Sequence, residues 1–155
     1  MTDVIIQGIN GRMGRVLQEL IAQRNDCRVV AGIDLAASSG DIPVFASFND
    51  LTVKGDVLID FSAPAATRNA IQYCREHKLP CVICTTGLDA ETEAELHELS
   101  SHCAVFKSAN MSMGINLLIK LAKEASLLLG DAYDVEIVEK HHHNKVDAPS
   151  GTALM

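Results

Sequence analysis

Aromatic residues are scarce in this chain: four Phe, two Tyr and no Trp among 155 residues. Proteins that hold single-stranded nucleic acid stack its bases on aromatic rings, so this scarcity argues against such a platform. Positive charge is short as well. Thirteen Lys and Arg face twenty Asp and Glu, and the formal net charge of −7 is wrong for a general polyanion binder while leaving room for a local cationic site. No apolar run approaches the roughly 20 residues that a membrane-spanning helix needs. The opening Met1-Thr2-Asp3-Val4 lacks the basic start and long apolar stretch of a secretory signal. The expectation is a cytoplasmic protein without a nucleic-acid or membrane partner.

With only four Pro, 21% charged and 48% hydrophobic residues, the composition excludes a disordered chain and suits a domain with a substantial core. Five cysteines, an odd number, fit a reducing compartment better than a disulfide framework. Cys81 and Cys84 have the CxxC spacing of redox and zinc sites. They fall in a predicted strand, where residues three apart point to opposite faces, and no second CxxC follows. Core packing is the expected role.

Short β-branched runs alternate with helix-length amphipathic stretches. Strands are predicted at 4–7, 28–34, 57–60, 81–85, 104–107 and 134–140, and helices at 12–24, 65–77, 90–102 and 115–129. Met13, Leu17, Leu20 and Ile21 align on one face of the first helix, and Thr92, Leu96 and Leu99 on one face of the third. Gly130 stands where the last helix should end. Residues 35–43 read as a loop. Strands alternating with helices imply a doubly wound, Rossmann-like α/β fold whose parallel sheet is covered on both sides. The character changes after Gly130, so residues 1–130 are expected to form a dinucleotide-binding domain and 131–155 the beginning of an α+β substrate-binding or catalytic domain.

The first strand runs into Gly8-Ile9-Asn10-Gly11-Arg12-Met13-Gly14, which opens a helix. This GxxGxxG variant of the dinucleotide fingerprint supplies a tight turn, close backbone approach to a pyrophosphate and close helix–sheet packing, with phosphate at the positive helix end. The next strand closes on Asp34, an acceptor for the adenosine ribose. A carboxylate there repels a 2′-phosphate and favours NAD over NADP, whereas Arg12 in the loop offsets that repulsion, so NADH and NADPH both stay open. A tight turn without ligand, with Asp34 an ordinary loop residue, is the plain alternative.

The stretch 136–154 is the most informative. His141-His142-His143 resembles a tag remnant or a metal site, but a tag does not belong at a patterned strand-to-loop junction. Three neighbours in an extended segment cannot all face one ion, so no metal is expected. A His is an acid near neutral pH, and Lys145 adds positive charge and a second proton source. Ser150-Gly151-Thr152, after Pro149, reads as an N-cap and first helical turn that offers N–H groups and hydroxyls to a carboxylate. Acid, cation and anion cradle together suit a small, electron-poor dicarboxylate that accepts a hydride and then a proton. A solvated polar loop is the bland alternative.

The segment Glu136-Ile137-Val138-Glu139-Lys140-His141-His142-His143-Asn144-Lys145-Val146-Asp147-Ala148-Pro149-Ser150-Gly151-Thr152-Ala153 closely resembles the signature of the 4-hydroxy-tetrahydrodipicolinate (dihydrodipicolinate) reductase family. Gly8 to Gly14, Asp60-Phe61-Ser62 with Pro64, Thr85-Thr86-Gly87 and Ala109-Asn110-Met111-Ser112-Met113-Gly114 agree with it in order. The resemblance implies His141 as proton donor or acceptor and Lys145 as proton donor. It implies His142 as a substrate contact, with Ser150, Gly151 and Thr152 in the turn that holds a substrate carboxylate. It implies the glycine loop (Gly8, Ile9, Asn10, Gly11, Arg12, Met13, Gly14) and Asp34 as cofactor site, with Cys84, Thr85, Thr86, Ser108, Ala109, Asn110 and Met111 in loops flanking the nicotinamide. The implied reaction is NAD(P)H-dependent reduction of dihydrodipicolinate on the route to diaminopimelate and lysine. Cys84 and Met111 depart from the Gly and Phe common in the family. Members continue well past this motif into a substrate domain that builds a homotetramer. The competing expectations are a nucleotide-binding module without turnover and a metal-dependent hydrolase built on His141 to His143.

Overall fold

The chain, described by a computed structural model, has its structure defined for residues 1–143, 145 and 148–155; the signature positions Asn144, Val146 and Asp147 lie outside the described residues. Two compact units divide it, Met1–Lys107 and Ser108–Met155.

In the first unit the order is β1 (Thr2–Gln7), α1 (Arg12–Ala22), β2 (Cys27–Ile33), β3 (Val44–Phe45), β4 (Val57–Asp60), α2 (Pro64–His77), β5 (Cys81–Ile83), α3 (Ala90–Leu99) and β6 (Val105–Lys107). All the strands run parallel, in the order β3-β2-β1-β4-β5-β6. The chain proceeds outward from β1 in both directions, first to β2 and β3, later to β4 and beyond. Connections therefore part at the carboxyl ends of β1 and β4 and leave a crevice there, the place where open α/β sheets take ligands. Alternation along β1 divides the core. Ile5 joins Leu58, Ile71, Ile83, Leu96 and Leu99 on the α2 and α3 side, while Val4 and Ile6 pack with Ile9, Ile21 and Val44 on the other.

Several details differ from the sequence reading. In α1 the covered stripe runs through Gly14, Leu17 and Ile21, whereas Met13 and Leu20 are exposed. At 100° per residue those two stand one position off the stripe. The loop expected at 35–43 leads into β3, whose two residues are too few to display an alternating pattern. Cys81 and Cys84 are both buried free thiols, as their strand position implied.

The second unit holds α4 (Met113–Leu129) and α5 (Gly151–Leu154). Ser112 caps α4 by accepting a hydrogen bond from the Ile115 N–H, and Gly130 ends it at φ +59°. The strand expected at 134–140 does not form, for no strand among the described residues pairs with it. Alternating apolar residues specify a strand only where a neighbour completes the ladder. The unit boundary at Lys107 precedes the expected one at 130 because α4 groups with the segment that follows it. A boundary after Gly130 in a longer protein stays a proposal.

Candidate functional site

The turn between β1 and α1 is built from close approaches that only glycine permits. At Gly8 φ is +77°, and a Cβ there would stand 2.7 Å from the Phe61 carbonyl oxygen. A Cβ on Gly14 would lie 2.3 Å from the Gly8 carbonyl oxygen and 2.4 Å from that of Ile9. Ile9, within the stretch expected to meet a cofactor, is buried, with its side chain in the core beneath Gly32. The N-cap of α1 is Gly11, with no side-chain cap and no acidic residue in the first turn. By contrast, Asp89 caps α3 and Ser112 caps α4. The first N–H groups of α1 therefore have no side-chain acceptor, the condition under which a helix end receives an anion.

Asp34 faces this turn from the end of β2. Its carboxylate accepts from the Asn10 N–H at 2.9 Å and from the Leu35 N–H at 2.8 Å, which fixes its orientation and leaves further lone pairs open. Gly8, Asn10, Gly11 and Asp34 line one cavity of about 800 Å3, whose wall also includes Ser62 and Tyr73. That size fits the roughly 300–1,000 Å3 of small-molecule sites. Arg12 and Met13 are exposed at the start of α1 and do not line the cavity.

Asp60, at the end of β4, is fully buried and is a group that the sequence reading named only as part of a family motif. One carboxylate oxygen accepts from the Ser62 N–H at 3.0 Å and the Ser62 hydroxyl at 2.5 Å. The other accepts from the hydroxyls of Thr67 at 2.6 Å and Thr85 at 3.0 Å. Four donors satisfy this buried carboxyl and tie the ends of β4 and β5 to the first turn of α2. Its signal was available: two residues past Leu58, Asp60 falls on the core face of a strand. The Thr85 hydroxyl is thus committed to Asp60, and burial pushes the Cys84 thiol up to about 12. Cys84 and Thr85 are both buried, while Thr86 is exposed.

Within the second unit Glu139 is the organising group. Its carboxylate accepts from the Ser150 N–H at 2.8 Å and stands 3.7 Å from the His141 imidazole Nδ1. Hydrogen bonding from Ser150, with the charges of His141 and Lys145 behind it, holds Glu139 below its ordinary value of 4.5. A carboxyl whose folded value is depressed contributes stability above its unfolded value and loses it as pH falls through the folded one. The Ser150 amide is therefore expected to keep its NMR position at neutral pH and to move with a midpoint below pH 4.5, a step absent in Glu139→Gln. Ser150 is buried, and its hydroxyl caps α5 through the Ala153 N–H at 3.1 Å. Its polar groups already have partners, whereas Gly151 and Thr152 are half-buried.

Asn110 ties this turn to the 108–112 loop, donating to the Thr152 hydroxyl at 2.9 Å and accepting from the Ser112 N–H at 2.8 Å. Ser108 donates its hydroxyl to the Asn110 carbonyl at 2.8 Å; Ala109 is half-buried and Met111 exposed. His142 and His143 are exposed. Among the described residues no group of three His, Cys, Asp or Glu side chains converges as a metal site, and no helix is long and apolar enough to cross a membrane.

Comparison with known proteins bears on this arrangement. The family model "Dihydrodipicolinate reductase, N-terminus" matches residues 2–111, and its C-terminal counterpart matches 114–155. The chain belongs to the dihydrodipicolinate reductase family. Among dihydrodipicolinate reductase relatives, the 4-hydroxy-tetrahydrodipicolinate reductase of Clostridium tetani is 45% identical over 156 residues, covering 100% of this chain and 61% of that protein. The corresponding protein of Caldanaerobacter subterraneus is 46% identical over 155 residues, with the same coverage of 100% and 61%. The chain thus spans 61% of the length of these curated relatives. The dipicolinate-bound dihydrodipicolinate reductase of Paenisporosarcina sp. TG-14 superposes with a TM-score of 0.78 at 31% identity, over 99% of this chain and 63% of that one. An NAD-bound dehydrogenase of Thermus thermophilus, at 16% identity and a TM-score of 0.62 over 80% of this chain and 47% of that one, shares the fold alone.

Proposed function

We propose that the whole protein carrying this chain is a 4-hydroxy-tetrahydrodipicolinate reductase that transfers a hydride from NADH or NADPH to the dihydrodipicolinate ring. The cavity shared by the glycine turn and Asp34, in a chain of this family, is the observation that carries the reading. The residues fit a dinucleotide: the α1 end is uncapped, and the Gly8 and Gly14 positions keep the turn closed around it. The backbone of the glycine turn holds the pyrophosphate, and Asp34 accepts from the adenosine ribose. The nicotinamide, when bound, supplies the hydride.

The chain's remaining residues bind the diacid and manage its proton. The Gly151 and Thr152 turn holds one carboxylate of the substrate, with His142 as a further contact, and Ser150 keeps that turn in shape. Lys145 delivers the proton that completes the product, and His141 donates or relays it. The Lys145 ammonium, and His141 when protonated, also offset negative charge that develops on the ring nitrogen as hydride arrives. Glu139 supports these roles from its place beside His141 and Ser150. The Ser108–Met111 and Cys84–Thr86 stretches flank the nicotinamide side through their backbones. The dipicolinate in the Paenisporosarcina relative supports a flat dicarboxylate as substrate.

Asp34→Ser should weaken NADH binding about tenfold and lower the ratio of NADPH to NADH dissociation constants, since it removes both a ribose acceptor and a charge facing the 2′-phosphate. Titration with each cofactor measures both effects. The reading itself is tested by following NADH and NADPH consumption with enzymatically generated dihydrodipicolinate. Consumption that depends on that substrate and is inhibited by dipicolinate is expected. Cofactor binding with no turnover by the whole protein would instead favour a binding module.

A further inference from the structure

Gln7 is the last residue of β1 and is only 3% exposed. Alternation places it on the same sheet face as Ile5, the side covered by α2. Its Nε2 donates to the Ala66 carbonyl oxygen in the first turn of α2 at 2.9 Å. That bond assigns the amide orientation, because a flipped amide would bring two acceptor oxygens together. The Oε1 atom is then buried without a hydrogen-bond partner among the described residues. Buried amide oxygens are nearly always paired, and an orphan is costly to maintain. Gln7 also lines the same cavity as Gly8, Asn10 and Asp34.

We infer that Gln7 is a specificity-determining residue whose Oε1 accepts a hydrogen bond from the adenosine half of the bound dinucleotide. The inference rests on the dinucleotide reading of this cavity. Chemistry restricts the partner: a carbonyl oxygen needs an N–H or O–H, and an ionised pyrophosphate has neither. Position restricts it further. The cavity runs from the ends of β1 and β2 past the segments after β3 and β4 and along α2, with Asp34, the proposed ribose acceptor, in its wall. The donors within that half are the ribose hydroxyls and the adenine amine. Neither the glycine fingerprint at Gly8 to Gly14 nor the signature segment at 136–153 includes this position.

Gln7→Met keeps the side-chain length and removes the acceptor, and the Ala66 carbonyl retains its place inside α2. Calorimetric titration of the whole protein with NADH, ADP-ribose and nicotinamide mononucleotide, together with melting curves without ligand, tests the idea. NADH and ADP-ribose should each bind about tenfold more weakly to the variant. Nicotinamide mononucleotide should bind both proteins equally, and the unliganded melting temperature should hold or rise. ADP-ribose affinity within twofold of wild type would overturn the inference and give the orphan oxygen to water. A lowered unliganded melting temperature in both Gln7→Met and Gln7→Leu would also overturn it, by making the residue structural. Failure of the wild-type protein to bind NADH and ADP-ribose would overturn the dinucleotide reading, and the inference with it.

Discussion

Gly14→Ala should cost about 2–3 kcal/mol of stability and reduce NADH affinity at least a hundredfold. The added Cβ meets two backbone carbonyl oxygens, at 2.3 Å and 2.4 Å, which cannot swing aside as a side chain would. Relief by moving the turn is opposed at Ile9, whose side chain is locked beneath Gly32, and at Asn10, whose N–H is held by Asp34. Opening the turn would therefore disturb the core, the ribose acceptor and the α1 end together. Calorimetric unfolding and NADH titration measure the two losses. Gly40→Ala is the matched control, since nothing lies within 4 Å of its added Cβ, and it should leave both quantities unchanged.

Lys145→Met and His141→Gln should each lower kcat by about 10²–10⁴-fold in the whole protein, with KM for NADH within twofold of wild type. That split follows from assigning Lys145 and His141 to substrate charge and proton delivery, and the glycine turn to the cofactor. The double variant should lose much less than the product of the single losses, because residues acting on one proton fail as a unit. His142→Gln should mainly raise KM for the diacid. Steady-state rates at several concentrations of both substrates separate these outcomes. Equal losses of NADH affinity in the Lys145 and His141 variants would contradict the division of labour.

The sheet and its glycine turn were legible because their causes are local. β-branched runs mark β1 and β4, and Gly8 and Gly14 stand where only glycine fits. What escaped depends on neighbours distant in sequence. Asp60 becomes a hub only when Thr67 and Thr85 arrive beside it, and Gln7 becomes an orphan only when α2 covers it. Side-chain direction was the weakest expectation: Ile9 and Thr85 sit in cofactor-type stretches, yet their side chains serve the interior. Alternation at 134–140 predicts a strand, but alternation cannot supply the partner that a ladder requires. In the histidine loop, residue chemistry indicated an acid and a cation. Glu139, which sets His141 and Ser150 in relation, is visible as an organiser only from its hydrogen bond to Ser150 and its place beside the imidazole.

Backbone amide NMR of the isotopically labelled protein during titration with ADP-ribose tests most directly whether the glycine-turn cavity is the dinucleotide site. The largest shifts should fall on the amides of Asn10, Gly11, Arg12, Asp34 and Leu35, with smaller ones at Phe61 and Ser62 beside Gly8. Saturable binding whose shifts cluster elsewhere and leave Asn10 and Leu35 unmoved would contradict the account.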